Sequence, residues 1–128
     1  MTLNIATMKR VLFLMALLLC MAATAYAQSD YYLKQAERHQ RDAEYYQRQA
    51  ENHRRDAEYH LKKAEKYQRE VSYYSRRNDT DRVKTYTRYA EDEMEKYERK
   101  MRYASEADEK AARCLRYAAE ALEKYSRQ

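Results

Sequence analysis

A seven-residue repeat constrains this chain more than any other feature. From Tyr31 it reads YYLKQAE, RHQRDAE, YYQRQAE, NHRRDAE, YHLKKAE. Ala36, Ala43, Ala50, Ala57 and Ala64 share one position of the repeat, and Val71 follows in the same row. A second row, three residues further on, holds Tyr32, His39, Tyr46, His53, His60, Tyr67 and Tyr74. Alternate spacings of three and four place both rows on one stripe of a helix, the a/d pattern of a coiled coil. A strict period of seven implies a left-handed supercoil.

The residues opposite that stripe agree with a solvated helix. Glu37, Glu44, Glu51, Glu58 and Glu65 each precede a basic residue by four positions: Arg41, Arg48, Arg55, Lys62 and Arg69. This is the favourable orientation for a helical ion pair, worth about 0.2–0.5 kcal/mol each. Such a pattern biases the backbone towards helix and is too weak to hold a tertiary structure.

The second half repeats in another wording, TRYAEDEMEKYERK, MRYASEADEKAARC and LRYAAEALEKYSRQ over residues 87–128. Small or half-apolar residues recur at Ala90, Tyr97, Ala104, Ala111, Ala118 and Tyr125. Ala107, Cys114 and Ala121 form a companion row, and Met94, Met101, Leu115 and Leu122 a neighbouring one. The stripe is displaced relative to the first half, so the two halves do not share one seam. Between them lies Arg77-Asn78-Asp79-Thr80-Asp81, rich in residues that cap helix starts.

These features predict an all-α fold: a long antiparallel two-helix coiled-coil hairpin, with helices over about residues 30–77 and 80–126 and a turn near 78–80. Each helix would measure roughly 70 Å at 1.5 Å per residue. Placing Asn78 opposite Asp79 sets large residues against small ones, a condition for close packing. Tyr67 then faces Ala90, His53 faces Ala104, Tyr46 faces Ala111 and His39 faces Ala118. Three pairings fit less well: His60 with Tyr97, Tyr32 with Tyr125, and Ala57 with Lys100. The competing architecture is one unbroken helix of roughly 145 Å in a coiled-coil dimer. A chain with no glycine and no proline permits that too.

The same absence excludes glycine-rich phosphate loops and dinucleotide-binding turns, and no Ser-His-Asp or Cys-His arrangement can be assembled. The expectation is therefore a non-enzymatic protein without cofactor or metal. His39, His53 and His60 lie 14 and 7 residues apart, about 21 and 10 Å along a helix, too far to share one ion. They read as half-buried seam residues. As histidine side chains titrate near pH 6.5, mild acid is expected to loosen the seam.

Residues 1–27 read as a secretory signal peptide: Lys9 and Arg10, an apolar run from Val11 to Ala23, then Ala25-Tyr26-Ala27 as an A-x-A site. Ala23-Thr24-Ala25 offers a second cut two residues earlier, and Met8 an alternative start. Thirteen apolar residues fall short of the ~20 that span a bilayer, which favours cleavage over a retained anchor. Residues 28–128 would then form the helical repeat region, exported to the periplasm or the cell exterior, with no membrane span remaining. Removing Lys9 and Arg10 from 26 basic residues leaves 24 against 21 acidic, a net charge of +3. These charges interleave at every turn. No basic cluster suits nucleic acid, and no Leu/Phe/Trp face suits a membrane surface. Cys114, the lone cysteine after cleavage, fits the small-residue row of the second helix.

Tyrosine supplies fifteen of the aromatic residues, beside one phenylalanine and no tryptophan. Tyr31, Tyr45, Tyr59 and Tyr73 recur every fourteen residues next to the first seam row. Tyr89, Tyr103 and Tyr117 do so in the second half, each after an arginine. A single seam does not require these rows, and amphipathic tyrosine suits partly wet interfaces. They are therefore expected to form a partner surface, with a second copy of the chain as the first choice of partner. Other envelope proteins are the alternative, met either by an interaction scaffold or by a holdase-type chaperone.

Overall fold

The computed structural model describes residues 4–128 and contains two helices, α1 over Ile5–Arg76 and α2 over Thr80–Ser126. The helices pack against one another as an all-α hairpin. Met1 to Leu3 of the proposed signal segment lie outside the described residues. Helix α1 begins much earlier than the expected residue 30, because the apolar run from Val11 and the seam repeat are both helix-compatible and no proline or glycine separates them.

The turn is built without glycine. The N–H of Asp79 donates to the Tyr74 carbonyl at 3.1 Å, and that of Asn78 to the Ser75 carbonyl at 3.2 Å. This pair of bonds is a Schellman motif, and it requires a left-handed residue at the position of Asn78. Asn78 has φ of 57°, and asparagine tolerates that region better than most side chains. Asp79 then caps the next helix. Its Oδ1 accepts from the Arg82 N–H at 3.2 Å, and its carbonyl accepts from the Val83 N–H at 3.1 Å. Asp81 adds negative charge in the first turn of α2.

Two compact units make up the chain. One comprises Arg41–Cys114, including the turn; the other comprises the residues up to Gln40 together with Leu115–Gln128. Within the Arg41–Cys114 unit, Ala43, Ala50, Ala57 and Ala64 are no more than 1% exposed, opposite buried Ala90, Ala104, Ala107 and Ala111. In the other unit Ala36, Ala118 and Ala121 play the same part. Every buried apolar residue described is an alanine, and no large side chain is fully buried. A methyl group contributes on the order of 0.8 kcal/mol when buried, so the seam relies on close approach along its whole length.

The flanking ion pairs are peripheral. Glu51–Arg55 at 2.8 Å and Glu58–Lys62 at 3.2 Å follow the expected spacing, with side chains at least 61% exposed. Lys100 occupies the small-residue row opposite Ala57 and escapes the seam by reaching Asp56 at 3.4 Å. Arg54 bridges to Asp108 across the hairpin.

Near the N-terminus, α1 contains one stretch long and apolar enough by length and composition to cross a membrane, and none of it is buried. The apolar character thus extends beyond the thirteen-residue run counted from Val11. Phe13, Leu18, Leu19 and Met21 are more than 60% exposed.

Candidate functional site

The second seam row of α1 makes a series of similar aromatic clusters with α2. In the Arg41–Cys114 unit, the rings of Tyr45 and Tyr46 meet edge to face at 5.3 Å, and His53 packs against Tyr103 at 5.6 Å with a 59° tilt. In the other unit, Tyr31 and Tyr32 meet at 5.5 Å, and His39 packs against Tyr117 at 5.5 Å with a 56° tilt. Lys110 lies 5.7 Å from the Tyr46 ring and Lys124 lies 5.8 Å from that of Tyr32. The alanine-based pairing set His39 against Ala118 and His53 against Ala104. Each ring packs at a tilt against the tyrosine one residue before the alanine so assigned, Tyr117 and Tyr103 respectively.

Each cluster frames a cleft beside the seam. Tyr45, Tyr46, Gln49 and His53 from α1, with Tyr103, Glu106, Ala107 and Lys110 from α2, enclose about 320 Å³. Tyr31, Tyr32, Gln35 and His39, with Tyr117, Glu120, Ala121 and Lys124, enclose about 270 Å³. The residues correspond one to one through a shift of fourteen, forwards along α1 and backwards along α2. The His53 Nδ1 atom is buried and has no hydrogen-bond partner.

A further shift of fourteen gives a third cluster of the same geometry and different chemistry. Tyr59 and His60 meet at 5.3 Å, and Tyr67 packs on Tyr89 at 5.5 Å. Here Glu93 stands where the others have Ala107 and Ala121, Lys63 replaces Gln49 and Gln35, and His60 replaces Tyr46 and Tyr32. These replacements interlock. Glu93 Oε2 accepts from His60 Nδ1 at 2.6 Å, while Oε1 faces Lys63 Nζ at 3.4 Å and Lys96 Nζ at 3.5 Å.

Glu93 is the one buried charged residue among those described, 5% exposed. Burial opposes its ionisation. The hydrogen bond from His60 and the charges of Lys63 and Lys96 outweigh burial and hold the carboxyl below its ordinary value of 4.5. The carboxylate in turn raises Lys63 above 10.5, through its charge and its hydrogen bond. Sequence reasoning passed over Glu93, although the row of Ala121, Cys114 and Ala107 continues backwards through Lys100 to Glu93. A glutamate in a small-residue row, opposite a lysine where two other repeats have glutamine, was the signal.

Of the predicted seam residues, the alanines are buried, and Tyr32, His39, Tyr46, His53, His60, Tyr67 and Tyr97 are half-buried. The flanking tyrosines divide into two groups. Tyr89, Tyr103 and Tyr117 lay their rings against Tyr67, His53 and His39 within the hairpin and stay 40–41% exposed. Tyr31, Tyr45, Tyr59 and Tyr73 meet the ring that follows each edge to face, Lys63 and Arg77 lie over the rings of Tyr59 and Tyr73 at 5.3 and 4.4 Å, and all four are 45–59% exposed. Among the described residues no group of three His, Cys, Asp or Glu side chains is placed to hold a metal ion.

The opposite flank of the seam carries a larger cleft of about 590 Å³, with Val71, Ala90, Met94, Glu91, Glu95 and Glu98 among its lining residues. No protein-family profile matches the chain, and neither a curated protein nor a solved structure is significantly similar to it.

Proposed function

We propose that this is an exported, non-enzymatic coiled-coil interaction protein that associates with itself through the exposed tyrosine row of α1. The observation that carries this reading is the exposure of Tyr31, Tyr45, Tyr59 and Tyr73, large amphipathic rings repeated every fourteen residues and left uncovered by the seam. Rings of this kind gain most from a partner that buries the face and leaves the hydroxyl wet. Export rests on the signal-like pattern of residues 1–27, and the apolar stretch of α1 fits both a cleaved signal and a retained anchor.

Analytical ultracentrifugation tests self-association. A dimer or larger species is expected at ~10–100 µM, a range typical of modest interfaces, and replacing Tyr31, Tyr45 and Tyr59 by serine should shift the population to monomer. A strict monomer throughout that range refutes the reading. A second reading, a holdase for unfolded envelope proteins, is favoured by the partly exposed row of Met101, Leu115 and Leu122, adaptable apolar side chains on an otherwise polar helix. An aggregation assay separates the two. Suppression of client aggregation at equimolar ratio supports the chaperone, and its absence rejects it.

A further inference from the structure

The clearest guide to what the two open clefts take is the third repeat of the same cluster, which carries an acid of its own. There the Glu93 carboxylate lies beside the seam, bonded to His60 and flanked by Lys63 and Lys96. At Ala107 and Ala121 each ring position stays aromatic, with Tyr46 and Tyr32 in place of His60, and His53 and His39 in place of Tyr67, but the side chain in the place of Glu93 stops at a methyl group. We propose that the clefts at Tyr46/His53 and Tyr32/His39 each bind a small organic carboxylate, its acid group lying where the Glu93 carboxylate lies in the third repeat.

The donors needed are present in altered form. The Tyr46 hydroxyl stands at the sequence position of His60, the Gln49 amide at that of Lys63, and Lys110 at that of Lys96. Beside one cleft, the His53 Nδ1 atom is buried and has no hydrogen-bond partner. Lys110 is already drawn over the Tyr46 ring, so its charge is held at the cleft rather than spread in solvent.

The remaining charge selects the ligand further. Glu106 lines one cleft and Glu120 the other, so each carries one carboxylate against one lysine. A ligand with a second acid group would meet repulsion there, and a monocarboxylate is the better match. Its body should be flat and apolar, because the flanking Tyr45 and Tyr103 rings are 52% and 40% exposed. Volumes of about 320 and 270 Å³ lie just above and just below the lower limit of usual ligand sites, ~300–1,000 Å³. Open clefts of that size give weak binding, with a Kd on the order of 0.1–1 mM. Tyr31 and Tyr45 wall these clefts and also belong to the face proposed for self-association, so ligand binding and association should compete.

NMR titration of the full chain with 3-phenylpropionate tests it, with the neutral 3-phenylpropanamide as control. The acid arm of this probe has the reach of a glutamate side chain and its ring suits the tyrosines. The ring signals of His53 and Tyr103, and of His39 and Tyr117, should shift and saturate, and the amide should bind at least ~10-fold more weakly, the equivalent of ~1.4 kcal/mol. Ala107→Glu copies the third repeat and should abolish the response at His53 and Tyr103 while leaving that at His39 and Tyr117 intact. The untouched cleft reports that the variant is folded. If Ala107→Glu disturbs the fold, Tyr46→His/Gln49→Lys/Ala107→Glu installs the whole interlocking set and must give the same loss. Equal binding of acid and amide, an unchanged response in the glutamate variants, or no saturable shift up to ~20 mM overturns the proposal.

Discussion

Removing the Glu93 carboxylate is the sharpest perturbation available in this hairpin. In Glu93→Ala the His60 Nδ1 loses its 2.6 Å partner in a site where its side chain is only 19% exposed. Leaving a group of that kind unsatisfied costs roughly 1–3 kcal/mol. Lys63 and Lys96 are more exposed and recover water, so their loss adds little. The expected destabilisation is therefore about 1–3 kcal/mol by urea unfolding followed at 222 nm. The triple variant His60→Tyr/Lys63→Gln/Glu93→Ala gives the three interlocking positions the residues of the two neighbouring repeats and should return to within ~1 kcal/mol of the parent. Buried ionic groups can often be replaced by matched apolar or neutral sets at little cost, whereas breaking one partner is expensive. The pH dependence supplies an independent check. Glu93 is held below its ordinary value, so its ionised form stabilises the fold above about pH 4.5 and the contribution fades as pH falls through the lowered value. Lys63 is raised above 10.5, so its contribution is complete below that pH and is lost as the pH climbs through the raised value. The parent should show both slopes and Glu93→Ala neither of these contributions. A single variant as stable as the parent, with an unchanged acid limb, would refute the account of the buried cluster.

Other predictions follow from the turn and the seam. Asp79→Ala removes the side-chain acceptor from the Arg82 N–H and should cost about 0.5–2 kcal/mol, with Asp79→Asn retaining most of the stability in the same urea titration. Asn78→Ala places a less tolerant residue at φ of 57° and should cost about 1 kcal/mol, while Asn78→Gly should be neutral or stabilising in thermal melts. Ala50→Leu introduces a large side chain where none of the surface is exposed. Overpacking should lower stability by about 1–3 kcal/mol, and amide exchange should quicken around Ala50 and the facing segment of α2 before it does elsewhere.

Much of this architecture is written in residue spacing. The alanine row of α1 and the small-residue rows of α2 could be read because a period of seven has one geometric meaning on a helix, and a helix start within Asn78-Asp79-Thr80 because these residue types favour caps. The Schellman geometry at Asn78 was harder to see, since asparagine also occurs freely inside turns and loops. Counting alanines locates the gaps, but ring contacts such as His53 on Tyr103 depend on how neighbouring aromatic side chains are turned. Glu93 escaped notice for a different reason. Hydrophobic periodicity treats a glutamate as a break in the stripe, and only the joint change of His60, Lys63 and Glu93 across the fourteen-residue repeat reveals a replacement of chemistry within a retained shape.

The left-handed residue at Asn78 has a consequence for assembly. Should its torsion pass into the right-handed region, α1 and α2 would fuse end to end, and each buried alanine could be covered again only by a second chain running the other way. Folded-back monomer and arm-exchanged pair would then bury the same side chains against the same neighbours. Their balance rests on one backbone angle, worth on the order of 1–2 kcal/mol, and on protein concentration. A substitution at this one exposed site would thus change how many chains make up the particle while leaving its interior unaltered.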